Sequence, residues 1–196
     1  MSQNMSAEEH YKRGIDYAQQ NRDEEAIREF EAALSINPNY AEAHKALGKA
    51  YFSQQQVENA IRETETAVRL NPNYIDAHHG LGLGYISQGR YKEATREFEI
   101  VLRAEPDHKD AHIGLGSAYL CQKRFKESAR EFEAVLRIDP NNSEGHQGLG
   151  WAYVWQNKGE PNDRAINEFE TAVRCDPNDA KAHYNLGMNY ARRGRQ

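Results

Sequence analysis

Six histidines return at the same place in a repeating pattern, and imidazole is both a metal ligand and a side chain that titrates near neutral pH. They are His10, His44, His78, His112, His146 and His183. If each belongs to one unit of a stack, neighbours stand about one helix diameter apart, roughly 10 Å, which is too far for two of them to share one metal ion. We therefore favour packing, in which each amphipathic ring fills a place between helices, over a metal site or a pH switch.

Paired carboxylates are a second candidate for chemistry, since two of them can act as general acid and base. The pair Glu97 and Glu99 recurs in equivalent segments, however, and Arg103 follows Glu99 by four residues, so ion pairs on a solvated helix face explain the pattern. The chain has no P-loop, GxSxG or HExxH motif, and neither Cys121 nor Cys175 has nucleophile-activating neighbours. The sequence predicts no enzymatic activity, no cofactor and no metal.

Composition narrows the class of protein further. The chain has 196 residues and a formal net charge of −5, with a pI near 5.9 and a mean hydropathy of −0.95. Nucleic-acid binders usually carry a basic stripe and a pI above about 9, so this class is not expected. No apolar run reaches the roughly 18 residues of a membrane span, and residues 1–6 lack the features of a signal peptide. We predict a cytoplasmic protein with reduced thiols, although a secreted form without its leader would look the same.

The elements that position these side chains follow from a repeat. Four prolines fall at intervals of 34 residues and a fifth follows after 37, namely Pro38, Pro72, Pro106, Pro140 and Pro177. Within residues 41–74, apolar residues spaced three and four apart predict one helix from Ala41 to Gln54 and a second that ends before Pro72. Proline stops the second helix because it cannot continue helical hydrogen bonding. A period of this length predicts helix pairs that must stack to bury their apolar faces.

The repeated residues resemble the tetratricopeptide repeat (TPR), whose signature is W-x2-L-G-x2-Y, then A-x3-F, then P. The third unit carries the fullest match, with His78 in place of the tryptophan, and then Leu81, Gly82, Tyr85, Ala94, Phe98 and Pro106. The resemblance implies an all-α fold, a right-handed α-solenoid of stacked antiparallel helix pairs. We predict a disordered tail (1–6), five full units (7–40, 41–74, 75–108, 109–142 and 143–179) and a terminal half unit or cap helix (180–196).

In the family, the first helices of the units line a concave groove that binds partners. Carried over by register, the groove would contain Lys45, Lys49, Phe52, His79, Leu83, Ile86, Ile113, Ser117, Leu120, Gln147, Trp151, Trp155, Tyr184 and Met188. With Asp76, Asp110 and Glu144 along one edge, this surface would suit an amphipathic helix or an extended apolar peptide that carries some basic residues. The resemblance thus predicts a non-enzymatic scaffold for a protein or peptide partner. The lysine and asparagine pattern of chaperone-tail adaptors is matched only at Lys45, so that subclass is not expected.

Three features leave alternatives open. Trp151 and Trp155 either anchor a partner or pack against the following helix. Residues 156–164 are three residues longer than their counterparts, and Gly159 and Pro161 make this a loop extension that is either a tolerated insertion or the rim of a site. The terminal half unit is a cap, the end of a fragment, or a face that another chain covers. The last possibility makes self-assembly into a homo-oligomer the alternative function.

Overall fold

The computed structural model describes residues 5–194, and in this range it contains eleven α-helices and no β-strand. The helices are α1 (Ala7–Gln19), α2 (Asp23–Ile36), α3 (Ala41–Ser53), α4 (Val57–Leu70), α5 (Ile75–Ser87), α6 (Tyr91–Ala104), α7 (Lys109–Cys121), α8 (Phe125–Ile138), α9 (Ser143–Gln156), α10 (Asp163–Cys175) and α11 (Ala180–Arg193). Helices α1–α5 form one compact unit, which ends at Arg90, and α6–α11 form a second, which begins at Tyr91. Hereafter these are unit 1 and unit 2.

Local sequence sets where the helices start and stop. Ser6 caps α1 in a capping box with Glu9, and the side chain of Asp179 accepts from two backbone amides at the start of α11. The second helices end at extended residues that precede proline, as at Asn71, whose side chain accepts from the amide of Asn73. The regular spacing of the prolines therefore sets the positions of the turns that follow the second helices.

The turn within a helix pair requires a left-handed residue. In α1–α2, α3–α4 and α7–α8 the residue with positive φ is Asn21 (57°), Gln55 (60°) and Lys123 (62°), whereas Gly89 (71°) takes this place after α5. The first three carry a Cβ in a region that favours glycine. Such short turns join antiparallel neighbours.

In unit 1, each helix packs on the next one along the chain, from α1 to α5, and α3 also contacts α1 and α5. Phe30 of α2 belongs to one buried core cluster together with Ala46, Leu47 and Ala50 of α3. This arrangement places α3 and α5 side by side with α4 packed against both.

In unit 2, each helix from α6 to α11 likewise packs on the next, and α9 also contacts α7 and α11. Phe132 of α8 and Phe169 of α10 lie in one buried cluster with Leu149 and Tyr153 of α9. Burial of these rings contributes about 1.5–3 kcal/mol each relative to an exposed ring.

The all-α fold predicted from the repeat is confirmed, and the helix predicted from Ala41 to Gln54 ends one residue earlier, at Ser53. The repeat boundaries stay predictions. Residues 1–4 of the predicted disordered tail, and residues 195–196 of the predicted half unit, lie outside the described residues.

Candidate functional site

The aligned histidines make polar bridges within the scaffold. His44 Nδ1 lies 2.8 Å from Glu63 Oε2, and its Nε2 lies 3.0 Å from the carbonyl oxygen of Pro38. His112 and His146 repeat both contacts at 2.7–3.1 Å, with Glu131 and Glu168 as their carboxylates. Because a carbonyl only accepts, Nε2 donates to it, and a proton must also lie between Nδ1 and the carboxylate. Each ring therefore ties its helix pair to the preceding turn.

Two of these bridges raise the pKa of their histidine. The hydrogen bond to Glu131 raises the pKa of His112 above its usual value, and burial opposes the rise. The hydrogen bond to Glu168 raises the pKa of His146 in the same way. The aligned histidines therefore make hydrogen bonds in addition to the predicted packing between helices. Among residues 5–194, no group of three or more His, Cys, Asp or Glu side chains is arranged to hold a metal ion.

A Glu-Phe-Glu segment organises the second helix of most pairs. In α8, Glu131 accepts a hydrogen bond from His112 Nδ1, Phe132 is buried, and Glu133 accepts from the hydroxyl of Tyr153 at 3.3 Å. The same segment occurs in α2, α6 and α10. The second glutamate therefore bonds to the next first helix. The predicted ion pair between Glu99 and Arg103 is not formed in the part of the chain that the structure describes, and Glu99 instead accepts from the hydroxyl of Tyr119 at 3.1 Å.

Helix α4 departs from this segment, because Thr64 stands where the other helices have phenylalanine. A Cβ built on Gly114 or Gly148 would lie 2.4 or 2.3 Å from the nearest ring atom of Phe98 or Phe132. At the equivalent Gly80, the nearest atom is 4.0 Å away, on Thr64. The smaller side chain leaves space in the place that an aromatic ring fills elsewhere.

That space is part of a pocket of about 400 Å³ between α3, α4 and α5. Its floor consists of small or apolar groups, namely Gly48, Ala60, Ile61, Thr64, Gly80 and Gly84. The Thr64 hydroxyl donates to the carbonyl oxygen of Ala60 at 2.7 Å, so it presents its methyl group rather than an unsatisfied donor. The floor is therefore suited to an apolar side chain.

The rim of this pocket carries charge and exposed apolar surface. Phe52 is 42% exposed and Leu83 39% exposed, on opposite sides. Lys45 Nζ lies 3.2 Å from Asp76 Oδ2, whereas Lys49 is exposed and makes no ion pair among the described residues. The rim thus has one paired and one unpaired lysine next to apolar groups.

Tyr74 lies beside this rim, with Lys45 Nζ 5.7 Å from the centre of its ring. Burial raises the pKa of Tyr74 to about 12, so its hydroxyl stays neutral at physiological pH. The ring supplies an additional cation–π contact that holds Lys45 in place.

Five residues predicted from the family's groove meet around this pocket: Lys45, Lys49, Phe52, His79 and Leu83. Ile86, the sixth predicted in unit 1, is half-buried and does not line it. The predictions missed Ile61 and Thr64, because register in the first helices says nothing about the second helix beneath them. The signal was present as Glu63-Thr64-Glu65 where Glu-Phe-Glu recurs.

The predicted groove residues of unit 2 are used largely for packing. Ile113, Leu120 and Trp151 are partly buried against the core cluster, and the rings of Trp151 and Phe169 meet edge to face at 5.4 Å. Trp155 stacks on Phe125 at 6.2 Å yet stays exposed.

Gln147 is buried and joins α9 to α11. Its amide donates to Asp179 Oδ2 at 2.7 Å and to Ser143 Oγ at 3.2 Å, and its oxygen accepts from Asn185 at 2.9 Å. Among the remaining predicted residues, Ser117 and Met188 are half-buried and Tyr184 is exposed. Only part of this predicted surface is therefore open to a partner.

The loop extension of unit 2 is packed rather than extended into solvent. Gly159 and Pro161 are buried, and a Cβ on Gly159 would lie 3.3 Å from the Trp155 ring. Its positive φ of 87° favours glycine. The extension therefore supports one side of Trp155.

Sequence models of the tetratricopeptide repeat match most of the chain. One matches residues 79–143, and a second, described as a TPR repeat, matches residues 14–55, 48–85 and 160–194. The chain belongs to the tetratricopeptide repeat family, with the all-α solenoid fold of that family. No curated protein matches it in sequence.

Solved structures with the same fold include YrrB, described as a TPR protein with an unusual peptide-binding site. YrrB is 18% identical with a TM-score of 0.80, over 91% of each chain. MamA from Desulfovibrio magneticus RS-1, from residue 41 to its end, is 20% identical with a TM-score of 0.82, over 91% of this chain and 99% of MamA. The MamA structure MSR-1 C2 is 24% identical with a TM-score of 0.77, over 89% and 98%. At these identities the likeness establishes the fold alone.

No helix within residues 5–194 has the length and apolar character needed to cross a bilayer.

Proposed function

We propose that this protein is a non-enzymatic scaffold that binds an extended peptide segment of a partner at the pocket between α3, α4 and α5. The single observation that carries the proposal is the replacement of the repeated phenylalanine by Thr64, which opens the floor of this pocket. Its volume of about 400 Å³ lies within the range of ligand sites, about 300–1,000 Å³. An aromatic or large aliphatic side chain of the partner would take the place of the absent ring.

The charges on the rim favour acidic residues beside that anchor. Asp76 is engaged by Lys45, so the remaining charge at the pocket is the ammonium group of Lys49. A carboxylate of the partner would pair with it without competing for a formed ion pair. The sequence predicts a preference for basic residues from Asp76, Asp110 and Glu144, and this stays a prediction; at this pocket the pairing of Asp76 with Lys45 favours acidic residues instead. YrrB, with the same fold, is described as peptide-binding, which supports the class of ligand.

The proposal is tested by selecting peptides from a random library on the full chain and measuring affinities by fluorescence anisotropy. We expect selected peptides to share an aromatic or leucine residue next to Asp or Glu. Thr64→Phe should abolish binding and raise the melting temperature, because the chain then fills its own pocket. Loss of binding together with a gain in stability cannot come from unfolding.

Reversing the charge of Lys49 provides a second test of the same site. Lys49→Glu should weaken binding of the selected peptides by about tenfold, about 1.4 kcal/mol. The matched control Lys126→Glu, at another exposed lysine, in α8, should leave binding unchanged. Peptides that bind Thr64→Phe and Lys49→Glu as tightly as the original chain would show that this pocket is not the site. We also propose a cytoplasmic location for the protein, which the peptide experiment does not address.

A further inference from the structure

Two histidines of unit 2 each use both ring nitrogens within the fold. His112 Nδ1 lies 2.7 Å from Glu131 Oε2 of α8, and its Nε2 lies 2.9 Å from the carbonyl oxygen of Pro106, in the turn before α7. His146 repeats the two contacts at 2.7 and 3.1 Å, with a glutamate of α10 and a proline in the turn before α9. Each ring therefore joins a second helix to the turn that precedes its own first helix.

A neutral ring cannot keep both of these contacts. Carboxylate and carbonyl oxygens only accept hydrogen bonds, whereas a neutral imidazole has one N–H donor and one nitrogen with a lone pair. Each bridge therefore holds one proton more than a neutral ring beside an ionised glutamate. When that proton leaves, one contact brings a nitrogen lone pair against an oxygen lone pair, so this contact opens.

The charged groups around His112 come from α8 and from the turn before α7. The hydrogen bond to Glu131 is the main cause of the raised pKa of His112, and the contact with Pro106 adds to it, whereas burial and the charge of Arg137 oppose the rise. Asp107 lines the same cavity as His112 and Arg137. No charged side chain of α6 or α9 bonds to this ring among residues 5–194.

The surroundings of His146 are equivalent. The hydrogen bond to Glu168 is the main cause of its raised pKa, the contact with Pro140 adds to it, and burial and the charge of Arg174 oppose it. In the described part of the chain, no charged side chain of α8 or α11 bonds to this ring. Both rings thus owe the extra proton to one glutamate and one carbonyl oxygen.

The contact with the turn is the one that opens when the proton leaves. A hydrogen bond to a carboxylate is roughly twice as strong as one between neutral groups. The side chains of Glu131 and Glu168 are only 21% and 18% exposed, so a carboxylate that faced a lone pair would lose a donor where water is scarce. Pro106 and Pro140 are exposed, so water can replace the ring at their carbonyl oxygens.

We propose that His112 and His146 form two pH-sensitive joints, at which the loss of one ring proton releases the preceding turn while the helix pair stays closed. The pairs α7–α8 and α9–α10 keep their histidine–glutamate bonds, and the attachment of each pair to the turn before it weakens. This attachment is complete below the unfolded pKa of about 6.5 and is lost as the pH rises through the higher folded pKa. The joints do not depend on the peptide pocket of unit 1.

NMR of the full chain, with ¹⁵N in its histidine rings, tests the joints from about pH 6 to about pH 9. At the low end both nitrogens of His112 and His146 should carry protons, and at the high end each ring should be neutral with its proton on Nδ1. The amides of His108 and Asn142, which donate within the two turns at 3.1 Å, report on the release. Their protection from hydrogen exchange should fall by roughly fivefold, the factor for one hydrogen bond of ordinary strength.

Replacing the glutamate by glutamine provides a matched control. In Glu131→Gln the side-chain amide can donate to the lone pair of Nδ1, so a neutral ring satisfies both contacts and its Nε2 donates to Pro106. The neutral ring of His112 should then carry its proton on Nε2, and protection of the turn should no longer change with pH. Protection in the turn before His146 should keep its pH dependence in this variant.

Three results would overturn the inference. The first is titration of both rings at or below the ordinary pKa of about 6.5. The second is a neutral ring in the original chain with its proton on Nε2, which would show that the glutamate is released and the turn is kept. The third is the same pH dependence of turn protection in Glu131→Gln and in the original chain. The first two results come from the original chain, so they decide even where the variant does not fold.

Discussion

Replacing glycine by alanine at equivalent places of two first helices should have opposite effects on stability. Both Gly150 of α9 and Gly187 of α11 lie in helix interiors, where alanine is favoured over glycine by about 0.5–1 kcal/mol. At Gly187 the new methyl group meets nothing within 4 Å. Gly187→Ala should therefore increase the free energy of unfolding by about 0.5–1 kcal/mol.

At Gly150 the same methyl group would lie 2.9 Å from two atoms of the Phe169 ring, which is fully buried. The ring must shift against Trp151 and the core cluster, and overpacking of this kind costs about 1–3 kcal/mol. After the gain in helix propensity, Gly150→Ala should lose roughly 0.5–2 kcal/mol. The two variants should thus differ by roughly 1–3 kcal/mol, although the substitution is the same.

Urea unfolding followed by far-UV circular dichroism measures the difference, and amide hydrogen exchange in α9 and α11 locates it. Exchange is needed because repeat arrays can open from their ends, so a change in α11 can be hidden in a global transition. Equal stability of Gly150→Ala and Gly187→Ala would show that Phe169 does not restrict the space over Gly150.

Three further changes test the scaffold. The pKa of His112 is raised by its hydrogen bond to Glu131, so the folded state holds the proton more tightly than the unfolded state. The resulting stabilisation is complete below the unfolded pKa of about 6.5 and is lost as the pH rises through the higher folded pKa. In urea unfolding from pH 6 to 8, the free energy of unfolding of His112→Gln should therefore fall less steeply with pH than that of the original chain. Lys123 has a φ of 62°, so Lys123→Gly should increase the free energy of unfolding by roughly 1 kcal/mol, measured by thermal unfolding. Gln147→Leu should cost about 1–3 kcal/mol because Asp179 loses a buried donor, and exchange in α11 should accelerate; unchanged protection there would contradict that role.

The helices could be predicted from the sequence because their signals are local. The spacing of Ala43, Ala46, Leu47 and Ala50 defines an apolar stripe, and Pro72 ends the following helix, so α3 and α4 need no information from elsewhere. Helix limits differ from the prediction by a single residue at Ser53 because the last turn depends on the conformation of Gln55.

The candidate site could be predicted only in part, because register gives the direction of a side chain and not what lies beneath it. The sequence predicts that Lys49 and Leu83 share one surface, and both line the pocket, but the depth of the pocket depends on the volume that Thr64 lacks. Gln147 was predicted to face the groove, yet Asp179 and Asn185 surround its amide and bury it. Both outcomes depend on residues far apart in the sequence, which a single repeat unit cannot reveal.

The proposed pocket of unit 1 arises from the repeated phenylalanine position. Between Gly48 and Gly80 the backbone of α4 is present and Thr64 stands in place of the ring, so one side chain that enters from outside would complete the packing. A ligand of this pocket therefore requires an anchoring side chain but no secondary structure of its own.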